Sequence, residues 1–111
     1  MEFEPAILAL AALAQPTRLE AFRLLVRSEP EGLAAGAVAD RLAVPANTMS
    51  AHLGVLSRAG LIRAPRRSRS IVYRADLDRL RDLVLFLLKD CCQGRVELCR
   101  PLLAELAPCC D

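Results

Sequence analysis

The most reactive side chains of this sequence stand together at one end of it. All five cysteines of the 111 residues lie from position 91 onward, as Cys91, Cys92, Cys99, Cys109 and Cys110. The disulfides of a small secreted fold are normally spread along the chain. Clustered thiols instead predict a redox sensor or a set of ligands, because thiolates select soft, thiophilic ions over hard cations such as magnesium and calcium.

Geometry limits how these thiols can combine. If one helix ran from Cys92 to Cys99, at about 1.5 Å per residue, the two would stand roughly 10 Å apart, too far to share an ion. Gly94 can end the helix and let Cys99 fold back. A disulfide within a vicinal pair would be strained, because adjacent α-carbons lie about 3.8 Å apart, below the usual range of about 4.4 to 6.8 Å. Bridges between the pairs or to Cys99 stay open, as does a role for Cys91 as a small buried apolar residue.

A small thiol-dependent enzyme, such as a reductase, is a remote alternative. Catalytic thiols need an activating neighbour, and the sequence has no Cys-x-x-Cys motif and no histidine near its cysteines. It also has no glycine-rich loop of the kind that holds phosphates. We therefore predict that the chain is not an enzyme.

Composition indicates one globular domain over residues 1–111, with 91–111 as its cysteine-rich segment. Apolar residues make up 54% of the chain and charged residues 25%, and no apolar run is long enough to span a membrane. We expect a cytoplasmic protein without a membrane partner. The net charge is only +2. A stretch free of acidic residues nevertheless forms a basic patch, which is typical of nucleic-acid binding: Arg58, Arg63, Arg66, Arg67, Arg69 and Arg74.

Helical periodicity and turn residues define the elements that must carry these groups. We predict helices over 5–14 and 16–28, the second burying Leu19, Phe22, Leu25 and Val26. A short helix over 34–42, a tight turn and a helix over 47–59 have the spacing of a helix-turn-helix. In the last of these, Asn47 or Thr48 is the expected N-cap, Gly60 ends the helix, and the core face carries Met49, Leu53 and Leu56. The opposite face is small and polar, as a helix in the major groove requires.

A hairpin and a long helix follow. Strands over 61–64 and 70–74, joined by the arginine-rich segment 65–69, are predicted to form a wing. Asp76 then caps a helix that runs to about Cys92 and is apolar on nearly every side. A domain this small cannot bury such a helix alone, so we expect it to pair with a second copy of the chain. A central core helix in a monomer is the alternative.

Three stretches together carry a resemblance to a known family. They are LAQPTRLEAFRLL at 13–25, NTMSAHLGVLSRAGLI at 47–62 and RAPRRSRSIVYRA at 63–75. The chain resembles the ArsR/SmtB family of bacterial metal-responsive repressors. The resemblance implies a mainly α (α+β) winged helix-turn-helix with a two-stranded β-hairpin wing. It further implies a homodimer held by the N- and C-terminal helices, which binds palindromic double-stranded operator DNA and leaves it when an effector binds.

The resemblance also narrows the effector. The segment LAAGAVADRL at 33–42 lacks the cysteines of one type of arsenic sensor, and the last helix lacks the His and carboxylate pairs of zinc sensors. Cys91, Cys92 and Cys99 resemble a third arrangement, which implies As(III) bound by three sulfurs. Sb(III), cadmium, lead, a methylated arsenical that needs two sulfurs, and oxidation stay open. Cys109 and Cys110 form a second site, a relay or an inert tail.

The expected DNA contacts lie on the second helix of the motif and on the wing. Asn47, Thr48, Ser50 and Ala51 are the candidates for reading bases. His52 is better suited to a phosphate contact or to helix packing than to metal binding. The wing candidates for phosphate or minor-groove contacts are Arg66, Arg67 and Arg69, with a merely solvated loop as the alternative.

Overall fold

The structure is a computed structural model that describes residues 1–67, 70–88, 100–101 and 104–105. Five helices in this part of the chain are α1 (Phe3–Leu13), α2 (Pro16–Arg27), α3 (Ala35–Leu42), α4 (Ala46–Arg58) and α5 (Leu77–Leu88). Four short strands stand between α4 and α5, namely β1 (Ile62–Arg63), β2 (Arg66–Arg67), β3 (Ser70–Ile71) and β4 (Arg74–Ala75). The predicted winged helix-turn-helix is confirmed. Within the described ranges, no helix has the length and apolarity that crossing a membrane requires.

Side chains mark where two of the helices begin. The side chain of Gln15 accepts a hydrogen bond of 2.8 Å from the backbone N–H of Arg18 at the start of α2. Asp76 was predicted to cap α5, and its carboxylate accepts a hydrogen bond of 3.0 Å from the N–H of Arg79. The prediction that Asn47 or Thr48 caps α4 is wrong. That helix begins after Pro45 with no side-chain cap, because Pro45 itself occupies the cap position and its ring has no oxygen to accept a hydrogen bond.

The core lies between α2, α3 and α4. Met49, Leu53 and Leu56 are completely buried, which confirms the predicted core face of α4. Phe22 and Leu25 of α2 are also buried. Leu19 is not, and its side chain is 44% exposed. The buried face of α2 is instead extended by Ala21 and Leu24, because this helix packs against α1, α3 and α4 together.

Helices α1 and α5 turn large apolar side chains outward. On α1 the buried residues are Ala6, Ala9 and Ala12, whereas Phe3 is 68% and Ile7 52% exposed. On the described part of α5 only Leu83 is buried, and Leu85 is 58% exposed. The two helices touch through the rings of Phe3 and Phe86, whose centroids lie 6.1 Å apart in an edge-to-face arrangement. The name α1/α5 surface is used below for these exposed apolar residues of the two helices: Phe3, Ile7, Leu8, Val84, Leu85 and Leu87. Exposed apolar patches on this scale mark contacts with other molecules.

The wing departs from the predicted pair of continuous strands. Two short antiparallel ladders replace it, β1 with β4 at its base and β2 with β3 farther out. Arg66 and Arg67, expected in the connecting loop, form β2. The ladders are interrupted where Pro65 lacks an N–H to donate and where Tyr73 pairs instead with Leu33, on the segment before α3. The wing is therefore joined at its base to the helix-turn-helix unit.

Candidate nucleic-acid interface

The outer face of α4 is small, polar and exposed. The three buried residues Met49, Leu53 and Leu56 fix how the helix is rotated about its axis, because they form one row on the core side. The structure leaves all four predicted base-reading residues exposed: Asn47, Thr48, Ser50 and Ala51. Their amide and hydroxyl groups are the kinds of donor and acceptor that match base edges in a major groove.

His52 lies at the edge of this face and is half-buried. Its Nδ1 is 3.5 Å from a guanidinium nitrogen of Arg18. The Nε of Arg18 in turn donates a hydrogen bond of 2.6 Å to the carbonyl of Ala12, in the last turn of α1. The described residues contain no cluster of three or more His, Cys, Asp or Glu side chains that could hold a metal ion. The contact with Arg18 gives His52 a packing neighbour. A phosphate contact by its ring stays a prediction.

An ion pair ties the base of the wing to the segment between α2 and α3. The guanidinium of Arg74 donates two hydrogen bonds to Glu29, of 2.8 Å and 3.1 Å, in a forked arrangement. These bonds raise the pKa of Arg74 above its ordinary value, although partial burial acts in the opposite direction. Arg74, read from the sequence as part of a basic patch, is thus engaged within the protein. Sequence reasoning missed this pair, because its members lie 45 positions apart.

The turn beside this ion pair requires glycine. Gly32 has a φ of +76°, and a Cβ atom there would stand 2.5 Å from the carbonyl oxygen of Tyr73. That close approach allows Leu33 and Tyr73 to exchange backbone hydrogen bonds of 3.0 Å and 2.8 Å. Backbone pairing and the ion pair together hold the base of the wing against the segment between α2 and α3.

The structure describes only some of the other predicted site residues. Arg66 and Arg67 lie on β2, paired through the backbone with Ile71 and Ser70. Arg69 lies outside the described residues, and so do all five cysteines, Cys91, Cys92, Cys99, Cys109 and Cys110. At the base of the wing, Arg63 is 3.9 Å from the carboxylate of Asp76. The wing thus follows α4 directly, with arginine positions on its outer ladder.

Replacing Glu29 by Gln is expected to loosen the wing. The amide keeps the size of the side chain but removes the charge that holds Arg74, so we expect Tm to fall by several degrees and binding to duplex DNA to weaken. Thermal unfolding and fluorescence anisotropy measure the two effects. Glu20→Gln is the matched control, because Glu20 is exposed on α2 and does not act on Arg74. Equal effects of the two substitutions would contradict the anchoring role.

A recognition helix with a free polar face, followed by a wing fixed to the same unit, defines a winged helix-turn-helix DNA-binding domain. Comparison with known proteins agrees with this class. A family model described as a helix-turn-helix domain matches residues 13–64. No match is found among curated proteins.

Several solved structures with the same fold are transcriptional regulators. An ArsR-like transcriptional regulator from Rhodococcus sp. RHA1 is 28% identical, with a TM-score of 0.73 over 94% of this chain and 92% of that one. A homodimeric winged helix-turn-helix domain from Mycobacterium bovis, a possible ArsR-family transcriptional regulator, is 28% identical, with a TM-score of 0.64 over 77% of each chain. A possible transcriptional regulator for arsenical resistance is 29% identical, with a TM-score of 0.62 over 71% of this chain and 79% of that one. Over most of its length the chain is therefore similar to transcriptional regulators described as ArsR-like or as possible ArsR-family members.

Proposed function

We propose that the chain is a homodimeric repressor that binds a palindromic operator and is released when As(III) binds its C-terminal thiolates. The observation that carries the DNA-binding part is the outer face of α4, which is exposed and polar while its opposite row is completely buried. A helix held in this way can enter the major groove without disturbing the core. We assign the whole chain to one domain, with 91–111 as its effector segment.

The homodimer is supported by the α1/α5 surface. A helix that buries only alanines and exposes Phe3 and Ile7 leaves most of its apolar area in water unless a second molecule covers it. The same holds for α5 with Leu85. A second copy of the chain offers an equal surface, as a two-fold symmetric interface requires. The Mycobacterium bovis relative is described as homodimeric.

The effector part rests on the cysteines. Three thiolates, from Cys91, Cys92 and Cys99, would satisfy the three bonds of trivalent arsenic, and Sb(III) has the same preference for soft ligands. The similarity to a possible regulator for arsenical resistance supports this assignment. Reduced thiols and DNA occur together in the cytoplasm, where we expect the protein to act.

Release follows from the connection between α5 and the recognition helix. The backbone N–H of Asp76, at the start of α5, donates a hydrogen bond of 2.8 Å to the carbonyl of Leu61, just beyond the end of α4. An ion bound beyond the far end of α5 would favour one packing of the dimer helices over another. Operator affinity then falls by as much as the ion prefers the packing that fits DNA less well.

A binding assay tests the DNA part directly. Fluorescence anisotropy compares the reduced protein on a duplex from upstream of its own coding sequence with a scrambled duplex of the same composition. We expect the upstream duplex to bind more tightly by at least about 1000-fold at physiological salt. Protection of two half-sites about one helical turn apart would support the dimer on a palindrome. Equal binding to the two duplexes would contradict the proposal.

The wing arginines are expected to act through phosphates. When Arg66, Arg67 and Arg69 are replaced together by Gln, three cationic contacts per protomer are lost, and the slope of log affinity against log salt should fall by roughly 5 for the dimer. Anisotropy titrations at four salt concentrations measure the slope. Arg23 is exposed on α2, and Arg23→Gln is the control. An unchanged slope in the triple variant would refute the contact.

A further inference from the structure

No contact among the described residues requires a glycine at position 54 of the recognition helix. Gly54 lies in the interior of α4, where glycine is among the least favourable residues. Its backbone is not in the left-handed region, in contrast to Gly32 and Gly60. A Cβ atom at Gly54 would meet only one atom within 4 Å, a terminal guanidinium nitrogen of Arg58 at 3.4 Å. Packing within the described chain therefore does not exclude a larger residue at this position.

The guanidinium of Arg58 lies beside the position that a side chain at Gly54 would take. A Cβ atom there would only touch it, at 3.4 Å, so alanine fits, whereas a longer side chain would compete for the same space. Arg58 is four residues farther along α4, and a long helical side chain points back toward the N-terminus, over the residue one turn before it. Arg58 is exposed, and among the described residues it has no hydrogen-bond or ion-pair partner. This differs from Arg63 and Arg74, which both face carboxylates. Within the described ranges, the side chain of Arg58 is thus an unpaired forked donor that lies beside Gly54.

The position of the Arg58 guanidinium favours a contact with base edges in the major groove over a contact with the phosphates. Residues 47, 51, 54 and 58 follow at spacings of four, three and four, so they form one row along α4. That row faces away from the buried row of Met49, Leu53 and Leu56. When α4 lies in the major groove, the row points at base edges, whereas phosphates flank the groove. Guanine presents two adjacent acceptors there, O6 and N7, which match the two parallel N–H groups of a guanidinium.

We propose that Arg58, seated over Gly54, reads a guanine in each operator half-site. The proposal rests on the proposed operator binding and names one base of that operator. Gly54 contributes by leaving the space in which the guanidinium lies close to the helix axis. Sequence reasoning counted Arg58 in the basic patch but not among the base-reading residues.

The test uses the full-length dimer and the upstream duplex with each guanine replaced in turn by 7-deazaguanine, which lacks the N7 acceptor. We expect the wild-type protein to lose affinity at one guanine per half-site, by roughly 5- to 150-fold. Arg58→Met keeps a long side chain but has no N–H group to donate to guanine. This variant is expected to bind the unmodified operator more weakly and to be insensitive to the same guanine.

Two glycine variants separate the contact from helix stability. Gly54→Met should raise Tm, because methionine favours the helix over glycine, and yet weaken operator binding and blunt the sensitivity to that guanine, because its longer side chain competes with the guanidinium for space. Gly36→Met is the matched control, since Gly36 lies in α3 and a Cβ atom there would meet nothing within 4 Å. We expect this variant to raise Tm and to keep the full sensitivity.

The experiments distinguish a failure of the Arg58 contact from a failure of operator binding itself. If Arg58→Met keeps the sensitivity at every guanine, the base contact is overturned. If Arg58→Met weakens the operator and a scrambled duplex equally and lowers the salt slope by about 1 per protomer, Arg58 is a phosphate anchor and the proposal is also overturned. If the wild-type protein does not prefer the upstream duplex to the scrambled one, the operator-binding function fails and this inference fails with it.

Discussion

Leu85→Glu is expected to turn the dimer into a folded monomer and to lower operator affinity by roughly 100-fold or more, because the second half-site is no longer bound by a tethered partner. Leu85 is 58% exposed on α5, so its side chain contributes little to the core of one protomer. In the proposed dimer, a carboxylate at this position would be buried against the second copy of the chain, with no positive charge to pair with it. Sedimentation equilibrium measures the assembly, and anisotropy measures the affinity.

A matched variant isolates the effect of the surface. Ile71 is also an exposed apolar residue, 43% accessible on β3 of the wing. Ile71→Glu introduces the same charge away from the α1/α5 surface and should leave the dimer intact. Ile7→Glu, on α1, should behave like Leu85→Glu. A dimer that persists in both Ile7→Glu and Leu85→Glu would mean that the two copies meet elsewhere.

Cys92→Ser is expected to abolish release by arsenite while leaving binding to the operator unchanged. Loss of one outer-shell partner typically costs about 10- to 100-fold in metal affinity, so loss of a direct sulfur ligand should raise the arsenite needed for release by more than roughly 100-fold. The same anisotropy titration on Cys92→Ser and wild type measures this ratio. The double variant Cys109→Ser/Cys110→Ser is the control and should respond as the wild type does.

A variant of Cys99 tests whether the effector is bound by three sulfurs or by two. If Cys99→Ser responds to arsenite as the wild type does, the three-sulfur site is wrong, and a two-sulfur effector such as a methylated arsenical becomes the alternative. Release by peroxide in the absence of any ion would instead identify a redox switch that forms a bridge between the cysteine pairs.

The helices could be predicted from sequence because their signals are local. The row of Met49, Leu53 and Leu56 marks the buried side of α4 through its spacing alone. Pro16 and Asp76 mark where α2 and α5 begin. The small residues on the outer face of α4 likewise indicated that it was free of the core. A winged helix-turn-helix follows from these patterns and from the spacing between them.

The features that were missed depend on contacts between distant parts of the chain. Arg74 looks like any other member of a basic patch until Glu29 is brought beside it. The interruption of the wing strands depends on the pairing of Leu33 with Tyr73. Leu19 fits the helical period but faces outward, since the buried side of α2 is set by three neighbouring helices at once. Gly54 carried a signal that could have been read, because an interior helix glycine calls for an explanation.

One titration tests the central claim most directly. The reduced wild-type dimer is bound to its labelled upstream duplex at a concentration well above Kd, and arsenite is added stepwise, with zinc in a parallel sample. The account predicts that anisotropy falls to the value of free DNA at about one arsenite per protomer, and that zinc at the same concentration leaves the complex intact. Anisotropy that stays constant through a tenfold excess of arsenite would contradict it.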